Sequence, residues 1–459
     1  MRLACLGLAL LLGVACRHQV AVLPDVAVQQ NRGLVRLAPG AHVLDRPLRW
    51  AYPAAELLIE GAPEGTLLRA SPRFRGRALI ELVGVRRVRL RHIKFEGNRQ
   101  TVGPLAAPPP AETPFAEYVV GNGILAEFSD DIEVTDSSFS ELTGFAILAR
   151  SCRHVRIERV RVVRSGSRNA TGRNNTTGGI LLEEGTEDFV VRDCHFEEVA
   201  GNGLWTHSRL AAGKNRYGLF ENNRFFRLGR DAIQVGHAEY VTVRANRGRY
   251  IGYPFAVVDV EGGGIPVALD TAGQVRYSRY EENQFEEING KCIDLDGFVD
   301  GWVERNRCIN NGQADDYPLG QFAIVLNNSH RGGRSERVRI VENWIDGANY
   351  GGLFLLGRQH WVIGNIWRRL NLAGCPDKAS VVPCHYSPHE PWLLASGLYL
   401  AWGGAQPDPA QGNRIEKNRI SGHRMDRHCI VLAPGVSWEQ NLIRDNVCEH
   451  TPSHVPGGP

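Results

Sequence analysis

Seven residues between positions 207 and 296 carry side chains suited to acid–base work: His207, Asp231, His237, Asp270, Lys291, Asp294 and Asp296. Two carboxylates at a suitable separation can act as general acid and general base in glycoside hydrolysis, and like charges in proximity raise one of the two pKa values as that reaction requires. Trp205 precedes the group, and Phe354, Tyr399 and Trp402 follow it, rings of the kind that stack on sugar faces. Gln234 and Asn327 add amides that can bond sugar hydroxyls. A lysine among carboxylates also suits β-elimination from a uronic acid, with Lys291 removing the proton beside a carboxylate that Arg209 or Arg358 would hold bidentately. Nearby carboxylates would raise the Lys291 pKa, which works against that role. No cofactor is demanded, but Asp294 and Asp296 are the hard oxygen donors that ligate Ca2+. The same residues would equally form a solvated salt-bridge ladder on an exposed surface.

Residues so far apart in sequence reach one face only if a repeat brings them there. From about residue 78 onward a unit recurs: an alternating apolar pair, a short turn, a second alternating segment, then Asn-x-apolar. Cys292-Ile293-Asp294-Leu295 followed by Val303-Glu304-Arg305-Asn306 is one copy, and Ala232-Ile233-Gln234-Val235 followed by Val241-Thr242-Val243-Arg244-Ala245-Asn246 is another. Period-two alternation marks strands. Asn223, Asn246, Asn283, Asn306, Asn343, Asn365, Asn418 and Asn446 recur at spacings of 23, 37, 23, 37, 22, 53 and 28, a base period near 22 with insertions. That period leaves the leucine-rich repeat and the parallel β-helix, and the mixture of Val, Ile, Phe and Leu at inward positions selects the β-helix.

Aligning the first strand of each coil predicts an inward column of Ile180, Leu204, Ile233, Val267, Ile293, Ile324, Leu353, Leu398 and Ile430. The outward places pair Trp205 with His207, Ala268 with Asp270, Asp294 with Asp296, and Val325 with Asn327. Asn202, Asp231, Lys291 and His428 stand just ahead of their strands. Neighbouring coils lie about 4.8 Å apart, so these side chains fall within reach of one another.

In-register asparagines resemble the asparagine ladder of the pectate-lyase-like families, which implies an all-β, right-handed parallel β-helix over most of the chain. Gly229-Arg230-Asp231-Ala232-Ile233 also resembles the Asp-Asp-Cys-Ile segment of polygalacturonases with its first Asp lost. Gly290-Lys291-Cys292-Ile293 has Lys at the place of the second Asp, and Asn202 stands where a carboxylate is wanted. Only Asp231 carries over, so the resemblance implies the fold rather than a standard polygalacturonase. Residues 17–77 read as an N-terminal cap and opening coil. The helix then runs over 78–459, with insertions at 101–116, 165–177, 250–264, 368–395 and 403–412 that overhang one face. His385, Tyr386, His389 and Trp392 in the fourth of these are of the kind to fold over the acidic groove.

Lys+Arg 53 against Asp+Glu 50 leaves no basic field to hold a phosphate backbone, which excludes nucleic acid as the expected partner. Arg2 and the apolar run from Leu3 to Ala15 have the form of a signal peptide over residues 1–16. Gly13-Val14-Ala15-Cys16 resembles a bacterial lipobox, so the expectation is an exported envelope lipoprotein, lipidated at Cys16, or a secreted protein. Membrane attachment is then through that lipid alone, and the chain is expected as a monomer. With Cys5 and Cys16 set aside, eight cysteines remain, and export permits them to bridge. Cys375 with Cys384 is the easiest bridge, Cys429 with Cys448 would pin the last turn, and Cys152 and Cys194 suit buried thiols as well as bridges. The functional expectation is an extracellular carbohydrate-active enzyme, a glycoside hydrolase or a uronate polysaccharide lyase. The alternative is a non-catalytic surface β-helix that binds glycan or acts as an adhesin-like module, and an epimerase of polymeric uronates is a third reading.

Overall fold

The computed structural model describes residues 28–31, 33–52, 56–101, 113–330, 332–377, 382–384, 388–403 and 406–451. Cys16, His385 and Tyr386 lie outside the described residues. The strands distribute into three long sheets of 13, 17 and 14 strands, visited in turn so that each coil contributes to each sheet. Strand pairings among the described residues are parallel, apart from Val28–Asn31 against Leu34–Leu37. A chain that winds this way through parallel sheets forms a β-helix, in which inward side chains find their partners only one coil up and one coil down.

The core follows from that stacking. On the first sheet, Ile180, Leu204, Ile233, Leu269, Ile293, Ile324, Leu353, Leu398 and Ile430 align in register. Leu269 takes the place expected of Val267, which pairs instead with Lys291. The slip is two residues, so each side chain keeps its face, but Asp270 now stands beside Asp294 rather than beside Asp296. On the third sheet, Phe95 stacks on Phe139 at 4.5 Å and Phe196 on Phe225 at 5.1 Å.

The turn between the second and third sheets carries the asparagine ladder. Asn223, Asn246, Asn283, Asn306, Asn343, Asn365, Asn418 and Asn446 stack, and from Asn246 onward each Oδ1 accepts the backbone N–H and the Nδ2 of the asparagine one coil before, at 2.9–3.1 Å, while Asn223 Oδ1 accepts the N–H of Cys194. The residue ahead of each, such as Ala245 or Arg305, has φ near +54°, a left-handed conformation costing roughly 1–2 kcal/mol. The amide network offsets that strain, which is why the position is so regularly Asn. Cys375–Cys384 and Cys429–Cys448 are bridged, and Cys152 and Cys194 are buried free thiols. A third bridge, Cys292–Cys308, links the first and third sheets within one coil. No helix among the described residues is long and apolar enough to cross a membrane.

Candidate active site

The outward column of the first sheet reads, in register, Leu148, Leu181, Trp205, Gln234, Asp270, Asp294, Val325, Phe354, Tyr399 and Val431. Its polar centre spans three coils. The strands Ile233–Gly236, Val267–Ala272 and Lys291–Asp296 place Gln234, Asp270 and Asp294 directly side by side, one strand spacing apart. Gln234 donates through Nε2 to Asp270, and its Oε1 accepts from Asn202 at 3.0 Å. Asp231 lies at the entrance to the strand below, accepts the N–H of Val267 at 2.9 Å, and is 2% exposed. Lys291 donates to Asp294 in a direct ion pair. Four of the seven predicted acid–base residues, Asp231, Asp270, Lys291 and Asp294, are therefore brought together.

Their electrostatics differ. Burial, reinforced by Asp231 and Asp294, holds the Asp270 carboxyl well above the usual carboxylate range. Burial also pushes Asp231 up, to about 6, against the opposing charge of Arg230. Asp294 is raised by burial too, but the Lys291 ammonium opposes the rise. For Lys291 burial alone would lower the pKa, yet its contact with Asp294 outweighs that and raises it. The arrangement is one carboxyl raised by burial and by its neighbours' charge beside one whose rise a fixed cation opposes, an asymmetry of the kind that separates an acid from its partner carboxylate. A lysine raised in this way is a poor base for β-elimination.

Asp296 does not join this group. It sits one position along in a second outward line, where Ser329 donates to it from N at 2.7 Å and from Oγ, and His330 Nδ1 lies 3.1 Å away. Burial would raise its pKa, but these bonds hold it low. Asp294 and Asp296 thus bond to different partners, Asp294 to Lys291 and Asp296 to Ser329 and His330. His330 extends a row of imidazoles, with ring centroids 6.2 Å apart for His207 and His237 and 5.7 Å for His237 and His330. Gly273, at φ +85°, makes room for this row, since a Cβ there would fall 2.3 Å from His237 Cε1. Burial lowers both His207 and His237 to about 4, so they are neutral at pH 7.

Other predicted contacts lie elsewhere. Trp205, expected as an open sugar platform, is 6% exposed, packed by Phe115, Phe145 and His207. The end of the first insertion folds back as a one-turn helix, Phe115–Tyr118, whose first N–H groups donate to Glu183 at 2.8–3.0 Å. Tyr399 is buried, stacked on Phe354, and donates to Glu390 at 2.7 Å beneath the 368–395 insertion. That insertion covers the apolar upper column instead of the acidic coils. Trp402 is exposed beside Gly435, near the end of the stack. Arg358 belongs to the second sheet and pairs with Asp408 at 2.8 Å, so it cannot hold a carboxylate at the column. Arg209 grips Glu184 at 2.7 Å next to His207. Asn327 aligns with Asp296, its Oδ1 accepting from Asn328 N–H. His330, Ser329 and Glu184 escaped sequence reasoning. A concavity of about 1100 Å3 lined by Arg36, Glu60, Arg91, Lys94 and Asp136 lies between the second and third sheets of the first coils, and its charges are largely paired among themselves.

With that geometry in view, residues 80–265 match the family model described as the right-handed beta helix region. The fold is a right-handed parallel β-helix. No curated protein matches the sequence. Among solved structures, the surface adhesin PfbA of Streptococcus pneumoniae is similar at 12% identity and a TM-score of 0.52, over 72% of this chain and 82% of that one. The catalytic unit of a GH87 α-1,3-glucanase from Streptomyces thermodiastaticus matches at 11% identity and 0.51, over 89% of this chain and 64% of its own. Gene product 12 of bacteriophage phi29 matches at 11% and 0.54, over 85% of this chain and 49% of its own. The chain thus spans less than two thirds of the glucanase and about half of the phage protein. Such identities carry the fold and not the reaction.

Proposed function

We propose that the protein is an extracellular glycoside hydrolase acting on a polysaccharide, with Asp270 as the general acid and Asp294 as the ionised carboxylate. The observation that carries this reading is the register that sets a buried Asp270, its carboxyl held well above the usual range, one strand from a Lys291-paired Asp294. Adjacent strands lie about 4.8 Å apart, close to the roughly 5–5.5 Å between carboxyl groups in retaining glycosidases. Asp270 delivers its proton to the leaving glycosidic oxygen as that bond breaks and Asp294 bonds the anomeric carbon; water, giving a proton back to Asp270, then displaces Asp294. Asp231, Gln234 and Asn202 hold Asp270 in place from below. The ion pair at Lys291 favours hydrolysis over β-elimination. Likeness to a glucanase is consistent with this reading, and three disulfides support export, with Cys16 as the proposed lipid-bearing N-terminus.

A second reading, a non-catalytic surface module that binds glycan, draws on the slight exposure of the column, whose carboxyls are 2–8% exposed, and on likeness to a surface adhesin. Purified protein incubated with a panel of polysaccharides separates the two. Release of reducing ends, lost in Asp270→Asn, supports the hydrolase. Absorbance from unsaturated uronates would move the assignment to a lyase, and retention on a glycan column without any product would move it to a binding module.

A further inference from the structure

Beside the acidic column, one place in the fold combines buried charge with imidazoles that lack partners. Glu183 and Glu184 end the strand below His207, and one donor atom from each of these three residues lies within 4.8 Å of the others. Glu183 is fully buried, and no cation forms an ion pair with it among the described residues. Its oxygens accept only the N–H groups of Phe115 and Ala116. A buried carboxylate without a cation is costly. The Nδ1 atoms of His207 and His237 are both shielded from solvent and make no hydrogen bond, and His237 is 9% exposed. Buried polar nitrogens are normally satisfied, so two neighbouring orphans call for an acceptor of their lone pairs.

We infer that Glu183, Glu184 and His207 form a binding site for a single divalent transition-metal ion, Zn2+ by donor type, with the orphaned imidazole of His237 beside it. Mixed imidazole and carboxylate donors suit Zn2+ in a four-coordinate site. Metal–nitrogen bonds of about 2.0–2.1 Å place two imidazole centroids that share a tetrahedral ion roughly 5 Å apart, so at 6.2 Å the His237 ring stands about 1 Å outside the first shell of the His207 site. The hydrogen bonds already present do not block the site, because a carboxylate has about four lone-pair positions. Arg209 on Glu184 then acts as an outer partner that orients the ligand. The ion would tie the Phe115–Tyr118 turn to the coil, since Glu183 holds both.

The test uses tag-free, full-length protein stripped with chelator and dialysed, then titrated calorimetrically with ZnCl2, MnCl2 and CaCl2, with bound metal counted by elemental analysis. One Zn2+ per chain is expected, with affinity falling at least tenfold in His207→Gln and in Glu184→Gln and unchanged within twofold in Asp270→Asn. Co2+ in the wild-type protein should give the intense visible bands of a four-coordinate site, a readout that needs no variant to fold. Absence of saturable Zn2+ binding, affinity untouched by both ligand substitutions, or binding abolished by Asp270→Asn would each overturn the site. None of these measurements uses a sugar, so the metal site and the hydrolase reading fail independently.

Discussion

Two stacks of polar side chains run along this solenoid at the same strand spacing, and they have opposite characters. In the asparagine ladder every interior Oδ1 takes two bonds and every interior Nδ2 gives two, one to the next asparagine and one to a carbonyl such as Tyr280 O. In the first-sheet column the groups are just as buried but imperfectly matched: Asn202 Oδ1, Asp294 Oδ1, His207 Nδ1 and His237 Nδ1 have no partner, and three carboxyls crowd one another. A satisfied polar stack fixes register and stability, whereas a frustrated one stores the shifted proton affinities that chemistry uses. The difference is one of side-chain type, because the backbone geometry is shared.

The sharpest way to break this comparison is Asp270→Asn. If the column does chemistry, turnover on the polysaccharide revealed by the panel should fall on the order of a hundredfold to ten-thousandfold, while the urea midpoint stays within error or rises. A wild-type rate in this variant would reduce the column to a buried surface feature. The converse change is Asn306→Ala in the ladder. It leaves the buried N–H of Asn283 without an acceptor, takes one of the two acceptors from its Nδ2, and should cost about 2–3 kcal/mol in urea unfolding, with kcat unaltered in the folded protein.

The ladder was legible in sequence because one residue type recurs at one offset, and its cause is local: a left-handed residue followed by an amide. The inward column was nearly as plain, with a slip only at Val267 and Leu269, both apolar and of the same parity. Period-two patterning cannot tell positions two apart, and an insertion precedes that strand. What the sequence hid was whatever depends on long-range folding of loops. Trp205 reads as an outward aromatic, and nothing nearby shows that Phe115, ninety residues earlier, will cover it. Tyr399 is equally outward by pattern and is closed off by the 368–395 insertion. His330 sits on a loop beyond its strand, so strand alignment had no place for it, although Asn327-Asn328-Ser329-His330 directly after an aligned strand was a usable signal. Arg358 was misplaced because the first strand of its coil, Leu353–Leu355, is short and the chain had already turned onto the second sheet.

Proton linkage sharpens the comparison further. Asp231 is raised from 3.8 to about 6, chiefly by burial, so the folded state keeps a proton that the unfolded chain releases. Its contribution to stability is therefore full below about pH 4 and is lost as pH rises through about 6. Asp231→Asn carries no such loss. The variant should gain on wild type between pH 4 and 6 and stay ahead by about 1–3 kcal/mol at pH 7, measured by urea unfolding across pH. A ladder asparagine has no charge to link, so Asn306→Ala should show a pH-independent deficit. By the same logic activity should decline on the alkaline side, where Asp270 finally loses its proton.

The smallest effect belongs to a third kind of stack, the ion pairs on the outer surface. Arg337 reaches Asp300 through Nε and Nη2, at 2.5 and 2.9 Å, and the charges hold Asp300 below and Arg337 above their ordinary values. Geometry alone would rank this pair with the buried ones. Solvent reverses that ranking, since the Arg337 side chain is 44% exposed and Asp300 26%, and water and salt screen most of the attraction. Arg337→Gln should cost about 0–1 kcal/mol, shrink further in 1 M salt, and leave both turnover and ladder intact. Arg337 also contacts Glu336, so a double-mutant cycle with Asp300→Asn isolates the pair. A coupling above about 2 kcal/mol would mean that surface stacks in this solenoid behave like its interior, and that partner identity rather than burial separates the stacks.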